Sequence, residues 1–337
     1  MTDSRADTAS LTDRIRAIKA GAPVFGVHFL GDVAVFVLGE EVLLFADAGG
    51  ERRVGVHAGA ILAAAAADWR IVTGGDDGRL VATDAQGNQQ TVATDEKRRW
   101  IDHVALGPDG AVAWSAGKTA FVRTGKGEVR FLDAPSTPAG LAFAPKGLRL
   151  AIAHYNGVTL WFPNYVDAAP EKFAWKGSHL GVMFSPDGRF LVTSMQEPML
   201  HGWRLADGKD MRMSGYAARV RSLDWSAGGG FLATSGSDQV ILWPFQGKDG
   251  PMGKQPRLLA PAQARVGVVA CHPRQPVVAA GYADGMVLLL RIDDGAEILA
   301  RRPGASPVTA LGWDAAGARL AFGTEDGEAG EAGVLQL

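Results

Sequence analysis

Histidine and cysteine are the side chains of this sequence most suited to metal binding or nucleophilic chemistry. None of the seven histidines takes part in an HxH, an HExxH or a paired Cys/His spacing. Cys271 ends an apolar run two residues before Pro273, where a small core residue is expected rather than a nucleophile. We therefore predict no catalytic residue, no metal ligand and no cofactor. The histidines are His28, His57, His103, His154, His179, His201 and His272.

The stretch Gly74–Gly78 (GGDDG) has the composition of a phosphate-binding or calcium-binding loop. A phosphate loop needs a helix directly behind it, and a strand-like run, Arg79–Thr83, follows instead. A calcium loop needs further carboxylates at alternate positions, which the sequence lacks. The stretch is therefore predicted to be a turn.

Aromatic and arginine side chains are suited to partner binding, because they bring large area and directional hydrogen bonds at modest entropic cost. Trp100 follows Lys97-Arg98-Arg99, and Arg219 stands close to Arg221. We predict that such residues bind a protein or peptide partner of acidic character. The predicted partner-binding residues are Arg98, Arg99, Trp100, Ser178, Tyr216, Arg219 and Arg265.

Whether these residues form one site depends on the elements that hold them, and His179–Asp207 shows the element pattern. An apolar run ends at Phe184, and the turn Ser185-Pro186-Asp187-Gly188 follows it. A second run covers Phe190–Thr193, and a third ends at Trp203-Arg204-Leu205. Pro-Asp-Gly fixes a tight turn, and runs of this length are strand-sized. The stretch therefore predicts three short antiparallel strands.

The same pattern occurs eight times. The spacing between the residues that precede each turn runs from 36 (29 to 65) to 46 (225 to 271). A period near ~40–45 residues with four strands per unit is typical of a β-propeller. These anchor residues are Phe29, Ala65, Leu106, Phe143, Phe184, Trp225, Cys271 and Trp313. We number the units one to eight: Val24–His57, Gly59–Thr94, Trp100–Ala134, Pro138–Gly177, His179–Gly215, Val220–Pro261, Val266–Pro303 and Pro307–Leu337.

Three of these stretches resemble WD repeats: GVMFSPDGRFLVTS, LDWSAGGGFLATSGSDQVILW and LAFAPKGLRLAIAHYNGVTLW. The family's terminal Trp-Asp pair appears only as Trp161-Phe162, Trp203-Arg204 and Trp243-Pro244. Its Gly-His pair is absent, and Gly215-Tyr216 is the nearest substitute. The resemblance implies a propeller that acts as a scaffold for protein partners. The absence of the Gly-His and Trp-Asp pairs predicts that the family's buried Asp-His-Ser/Thr-Trp network is largely absent. Apolar packing is then expected to stabilise the blades.

The predicted fold is all-β: residues 11–337 form a single closed propeller of four-stranded blades, eight in number, with seven as the alternative. Unit eight has only three strand-like runs, so its fourth strand must come from elsewhere. We expect a segment around Arg14–Lys19 to cover that open edge, although Leu11–Ala20 also fits a helix capped by Thr12 or Asp13. Residues 1–10 are small, polar and charged, which predicts a disordered tail.

Composition limits the possible partners and the compartment. The formal net charge of −2 gives no global attraction to nucleic acid or to anionic membranes. The lone cysteine allows no internal disulfide, and the N-terminus has no apolar signal region. The longest apolar run, Ala58–Ala67, is too short to span a bilayer. We expect a soluble, cytoplasmic monomer that binds neither nucleic acid nor membrane, and the Ala- and Gly-rich composition favours a bacterial source.

Repeat geometry predicts where the partner-binding residues lie. The residue six before each anchor enters the inner strand at the rim of the central channel, and this position includes Trp100, Ser178, Arg219 and Arg265. The plainer interpretation is a set of solvated basic residues and a half-buried tryptophan. Two loops that interrupt the repeat, Gln246–Gln255 and Asn164–Lys172, are either contact loops or tolerated insertions.

We predict a non-catalytic protein-interaction scaffold. The alternative is a ligand-binding, metal-binding or enzymatic propeller with its site at the channel mouth. Convergent polar residues would favour that alternative, and the inner runs consist mostly of Ala, Val, Leu and Gly.

Overall fold

The computed structural model describes residues 10–67, 69–165 and 167–334. Residues 1–9, the greater part of the predicted tail, lie outside the described residues. Within the described ranges the chain forms strands β1 to β30 and three short 3-10 helices, Leu11–Arg14, Pro108–Gly110 and Ala227–Gly229. None of the helices in this part of the chain has the length and apolar character needed to cross a membrane.

The described strands form seven antiparallel sheets. Strand β1 is Ile15–Lys19. Units one to three form sheets of β2 to β5 (Val24–Leu30, Val33–Leu38, Val42–Asp47, Gly50–Gly55), β6 to β9 (Ile61–Ala67, Arg70–Gly75, Arg79–Asp84, Gln89–Thr94) and β10 to β13 (Ile101–Leu106, Val112–Ala116, Thr119–Arg123, Val129–Asp133). Units four and five contain β14 to β19 (Gly140–Phe143, Leu150–Trp161, Glu171–Phe184, Phe190–Met195, Leu200–Arg204, Asp210–Met213). Units six to eight contain β20 to β23 (Leu223–Trp225, Phe231–Thr234, Val240–Pro244, Arg257–Leu259), β24 to β27 (Val266–Cys271, Val277–Tyr282, Val287–Arg291, Glu297–Arg301) and β28 to β30 (Val308–Trp313, Arg319–Thr324, Glu328–Gly333).

The turn that the sequence predicted in unit five shows how short polar segments set the strand register. The hydroxyl of Ser185 donates to the carboxylate of Asp187 (2.6 Å), which also accepts the backbone N–H of Arg189 (3.0 Å). The same hydroxyl accepts the N–H of Phe190 at 2.9 Å. Gly188 takes φ +74°, a conformation that glycine adopts without strain. These local bonds place Phe190 at the start of the second strand with its side chain buried.

The prediction of eight separate blades is wrong, because the sheets number seven among the described residues. Units four and five share one six-stranded sheet, in which the long strands β15 and β16 each replace two shorter strands. Asn156 (φ 68°) and Gly157 (φ 144°) turn β15 sharply while it remains a strand. Strand β16 then passes from the outer edge of unit four into the inner strand of unit five, with a register shift between His179 and Gly181. The remaining six sheets have four strands each.

The N-terminal strand completes the last sheet, as the sequence predicted. β1 pairs antiparallel with β30, with Ile15 opposite Ala332 and Lys19 opposite Glu328. Ile18 is the residue of β1 that is buried. The preceding segment, Leu11–Arg14, is a 3-10 helix, so the helical alternative applies only to those residues.

The core lies between neighbouring sheets, where side chains of adjacent units interdigitate. Phe190 of unit five packs with Trp243 and Phe245 of unit six. Ala310 of unit eight packs in the same cluster as Val27 of unit one. Arginines add hydrogen bonds across other boundaries between units. Examples are the bonds from Arg52 to the carbonyl of Ala85 (2.9 Å), from Arg70 to that of Gly110 (3.1 Å) and from Arg257 to that of Asp293 (3.1 Å).

Since consecutive strands are antiparallel, the loops before each first strand lie on the same face as the loops between the second and third strands. We call this the upper face and the opposite one the lower face. The sequence places its partner-binding residues on the upper face.

Candidate partner-binding face

The first strand of six units carries a register shift close to its start. One residue per strand is left without a partner on the neighbouring strand, which is the geometry of a β-bulge. Such bulges bend the strand and redirect a side chain. The residues at these bulges are Phe25, Leu62, Asp102, Leu180, Gly267 and Thr309.

Five of the six bulge residues line cavities at the centre of the upper face. Phe25, Leu62, Gly267 and Thr309 border a cavity of about 820 Å³, whose walls come from units one, two, six, seven and eight. Leu180 borders a second cavity, of about 440 Å³, between units five and six. In unit six the corresponding position is Arg221, which lines both cavities.

The charge of this region is uneven. Arg219 and Arg221 lie in the cavity walls on the side of unit six, and Glu325 lies on the side of unit eight. Burial lowers the pKa of His28, also in the wall of the larger cavity, to about 4, so its imidazole is neutral at neutral pH. In unit three the Asp102 carboxylate accepts a hydrogen bond from Ser115 (2.9 Å).

The exposed apolar residues of units one to three include one that the sequence predicted and two that it missed. Trp100 is 63% exposed and directly precedes β10. Phe25 is 66% exposed and Leu62 is 37% exposed. The sequence contained a signal for Phe25, because it stands four residues before its anchor, as Asp102 and Arg221 do before theirs. The prediction used the position six residues before each anchor and so passed over the bulges.

Two of the predicted basic residues next to Trp100 differ in their surroundings. Arg98 is exposed and adopts φ 52°. The guanidinium of Arg99 binds the carboxylate of Asp95 (2.7 Å), and this hydrogen bond lowers the pKa of Asp95. Asp95 also accepts the backbone N–H of Lys97 (3.1 Å). Arg99 therefore stabilises the loop that presents Arg98 and Trp100.

Ser178 and Arg219 are brought together through a third residue. The Arg219 guanidinium donates to the side-chain oxygen of Gln196 (2.9 Å), and the N–H of Gln196 donates to the carbonyl of Ser178 (3.0 Å). Both predicted residues are half-buried. Arg265 is exposed on the following unit, where its carbonyl accepts the N–H of Ala283 (2.8 Å).

Tyr216 does not belong to the exposed face, and its placement there was wrong. It is 8% exposed, and its hydroxyl accepts a hydrogen bond from the Trp243 indole (2.7 Å) and bonds with the Thr234 hydroxyl (2.9 Å). Burial raises the pKa of this phenol. Tyr216 thus takes the place of the family's histidine inside unit six, because its hydroxyl reaches the same threonine and tryptophan partners.

Parts of the buried polar network that the sequence predicts to be largely missing are present in units two and five. In unit two the His57 imidazole bonds with Asp77 (3.0 Å) and with the Thr73 hydroxyl (2.9 Å). In unit five His179 bonds with the Thr193 hydroxyl (2.8 Å). Val56 and Ser178 precede these histidines, so neither histidine stands in the Gly-His pair by which the family is recognised.

Cys271 is a buried core residue, as the sequence predicted. Burial raises the pKa of its thiol, which disfavours the nucleophilic thiolate. Its backbone N–H donates to the Asp224 carboxylate of unit six (2.7 Å). Among the described residues no three His, Cys, Asp or Glu side chains are grouped as metal ligands would be.

Comparison with known proteins agrees with this architecture. Residues 210–243, which run from β19 to β22, match the family model "WD domain, G-beta repeat". The chain is similar in fold to the crystal structure of the computationally designed Ika8 protein, with a TM-score of 0.76. The two are 18% identical over 94% of this chain and 98% of that chain, a likeness that shows the fold alone. No curated protein matches the sequence.

Four-stranded sheets that pack face to face around central cavities define a β-propeller. Together with the match of residues 210–243 to a WD-repeat model, this arrangement supports a WD-repeat β-propeller. Propellers of this family commonly mediate protein interactions and are typically non-enzymatic scaffolds.

Proposed function

We propose that this protein is a non-catalytic interaction scaffold whose upper face receives an acidic segment of a protein partner. The proposal includes a cytoplasmic, monomeric state, with neither nucleic acid nor membrane as a ligand. The formal net charge of −2 is in keeping with a local binding patch rather than with global attraction to a polyanion.

One observation carries the proposal: exposed tryptophan and arginine side chains of several units lie on the same, upper face. Trp100 is 63% exposed, and Arg98, Arg221 and Arg265 are also exposed. Tryptophan and arginine are the residue types that most often dominate binding energy at interfaces. The arginines add bidentate donors for carboxylates.

The proposal predicts that a double variant, Trp100→Ala with Arg265→Ala, folds normally and loses its partner. The test is affinity capture from the native host with tagged wild-type and variant proteins, followed by mass spectrometry. Proteins recovered with the wild type are expected to fall by about tenfold with the variant, since each 1.4 kcal/mol of lost binding energy is a factor of ten. Circular dichroism and the melting temperature check that folding is unchanged.

The matched control is Trp69→Ala with Arg274→Ala. Trp69 is 62% exposed, Arg274 is exposed, and both lie in turns of the lower face. This control should recover the same proteins as the wild type. Equal recovery with both double variants would refute a binding role for the upper face.

A second candidate function, ligand binding at the channel mouth, is supported by the size of the larger cavity. Its volume of about 820 Å³ lies within the range of small-molecule sites. Its walls also contain polar groups of His28, Arg221 and Glu325. Native mass spectrometry and metal analysis of the purified protein test this candidate, which requires a bound metal or small molecule.

A further inference from the structure

The mouth of the larger cavity has an apolar side and a basic side. Phe25 and Leu62, from units one and two, occupy the apolar side. Arg221, from unit six, occupies the basic side, and Glu325 of unit eight lies apart from it. A ligand that fills this cavity therefore contacts an exposed aromatic ring and a guanidinium together.

The exposed position of Phe25 is fixed by its surroundings. Its ring lies across Gly39, in the turn between β3 and β4, so closely that a Cβ atom at Gly39 would collide with the ring. The ring therefore rests on backbone, and 66% of the residue remains exposed. With one face of the ring packed on backbone, the other face is presented to a partner as apolar surface, which is a property of interface anchors.

The charged groups at the cavity mouth determine whether an anionic or a cationic ligand binds there. Arg219 is bonded to Gln196 on the side of unit five (2.9 Å). The guanidinium of Arg221 has no carboxylate within salt-bridge distance among the described residues. His28 is neutral at neutral pH, so the cationic group of the larger cavity is Arg221. A carboxylate entering beside Arg221 gains an ion pair, whereas a cation there is repelled.

We propose that the channel mouth binds a short partner segment in which a bulky apolar residue stands next to a carboxylate. The apolar side chain packs against Phe25 and Leu62, and the carboxylate pairs with Arg221. Glu325 sets the direction of the segment, because its charge keeps the acidic group on the side of unit six. This inference rests on the proposed function and defines the chemistry of the partner.

The test is selection of random linear peptides displayed on phage against the purified, full-length protein. Selected peptides should combine Asp or Glu with a neighbouring Leu, Ile, Phe or Trp. Their affinity, measured by fluorescence anisotropy, should fall at least about tenfold with Phe25→Ser and with Arg221→Ala. Selection against Arg221→Glu should return Lys or Arg in place of the acidic residue, which a purely structural role of Arg221 would not produce.

The outcomes separate this inference from the proposed function. Peptides that lose binding with the Trp100→Ala, Arg265→Ala variant and keep it with Phe25→Ser and Arg221→Glu would overturn the inference and leave the scaffold proposal in place. Peptides sensitive only to the lower-face variant Arg274→Glu would overturn both. A wild-type dimer that Phe25→Ser converts to a monomer would show that a second copy fills the mouth, which also overturns the inference.

Discussion

Asp224 is a carboxylate placed where units six and seven meet. It accepts the N–H of Cys271 (2.7 Å) and that of Trp225 (2.8 Å). Burial raises its pKa from 3.8 to about 6. The folded state therefore holds the proton of this carboxyl more tightly than the unfolded state. Below pH 3.8 the carboxyl is protonated in both states, so it does not change the free energy of unfolding. Between pH 3.8 and about 6 the unfolded state loses this proton first, so the free energy of unfolding falls as pH rises. Above about pH 6 both states are ionised and the loss of stability is complete.

We therefore predict that Asp224→Asn raises the free energy of unfolding at pH 7.5 by roughly 1–2 kcal/mol. The amide oxygen of the variant can still accept the N–H of Cys271, and we expect removal of the charge to outweigh the loss of the bond from Trp225 to the other oxygen. Urea denaturation at pH 7.5 and pH 4.5 measures the difference, which should shrink at the lower pH. Asp293→Asn, on the exposed surface, serves as the control. A variant less stable than wild type at pH 7.5 would contradict the prediction.

Within the shared sheet of units four and five, His201 of β18 lies in an aromatic cluster. It is fully buried and stacks on Trp175, with ring centroids 4.1 Å apart. The guanidinium of Arg212 lies 4.2 Å from the centroid of the same Trp175 ring. Among the described residues neither imidazole nitrogen has a hydrogen-bond partner, although the Asp210 carboxylate lies 3.7 Å away. Burial is the main cause that lowers the pKa of His201 to about 4; the Asp210 carboxylate opposes this shift, and nearby His179 adds to it.

The variant His201→Phe should be at least as stable as the wild type at pH 7.5 and more stable than it at pH 5. In the unfolded chain this histidine becomes protonated below pH 6.5, whereas in the folded state it stays neutral down to about pH 4. The free energy of unfolding therefore falls as pH falls from 6.5 toward 4. Removing the unpaired nitrogens also avoids a penalty of about 1–3 kcal/mol. Thermal unfolding at the two pH values measures both effects.

His272 provides the matched control for this prediction. Its nitrogens bond with the Gly317 carbonyl (3.1 Å) and accept the N–H groups of Arg274 (3.0 Å) and Gln275 (2.9 Å). His272→Phe should therefore destabilise the protein at both pH values. Equal effects of the two histidine variants on stability would contradict a penalty from the unpaired nitrogens of His201.

Local signals were sufficient to predict most elements but not how they join. Turns such as Ser185–Gly188 and the apolar runs predicted the strands, and the open edge of unit eight predicted β1. The merging of units four and five was not predictable, because Lys176–Ser178 has the composition of an ordinary connecting loop. Whether a strand continues through such a segment depends on how both units pack, and not on the conformational preference of the segment's own residues.

The candidate site was predictable only in part. Trp100 and Arg265 followed from the repeat register and are exposed. The bulge that exposes Phe25 depends on pairing with β3, which sequence spacing does not describe. Tyr216 was misplaced because a tyrosine at the histidine position of the repeat is equally consistent with a surface or a core role until its partners are known.

At the scale of the whole molecule, Arg319 joins the two ends of the chain. Its guanidinium bonds with Asp314 (3.3 Å) and Glu331 (3.3 Å) of unit eight. It also donates to the carbonyl of Asp32 in unit one (2.9 Å) and lies 5.0 Å from the ring centroid of Phe29. Buried networks of this kind stabilise more than isolated surface pairs do.

Replacing Arg319 with alanine should lower the free energy of unfolding by about 1–3 kcal/mol, because two buried carboxylates lose their partner. Amide hydrogen exchange should accelerate mainly in β30 and in the turn between β2 and β3, which contact this arginine through Glu331 and Asp32. Arg291→Ala is the control, since Arg291 pairs with exposed Asp294 within a local turn. Uniform acceleration over all sheets, or none, would contradict a role specific to this junction.

The pairing of β1 with β30 has a consequence for synthesis on the ribosome. β1 is made well before its partner, because 309 positions separate Lys19 from Glu328, so its isoleucines stay uncovered while the intervening chain is synthesised. A nascent chain in this condition presents a free strand to neighbouring polypeptides, and premature pairing there would trap it. The pairing of β1 with β30, which completes the last sheet, therefore waits until β30 has been synthesised.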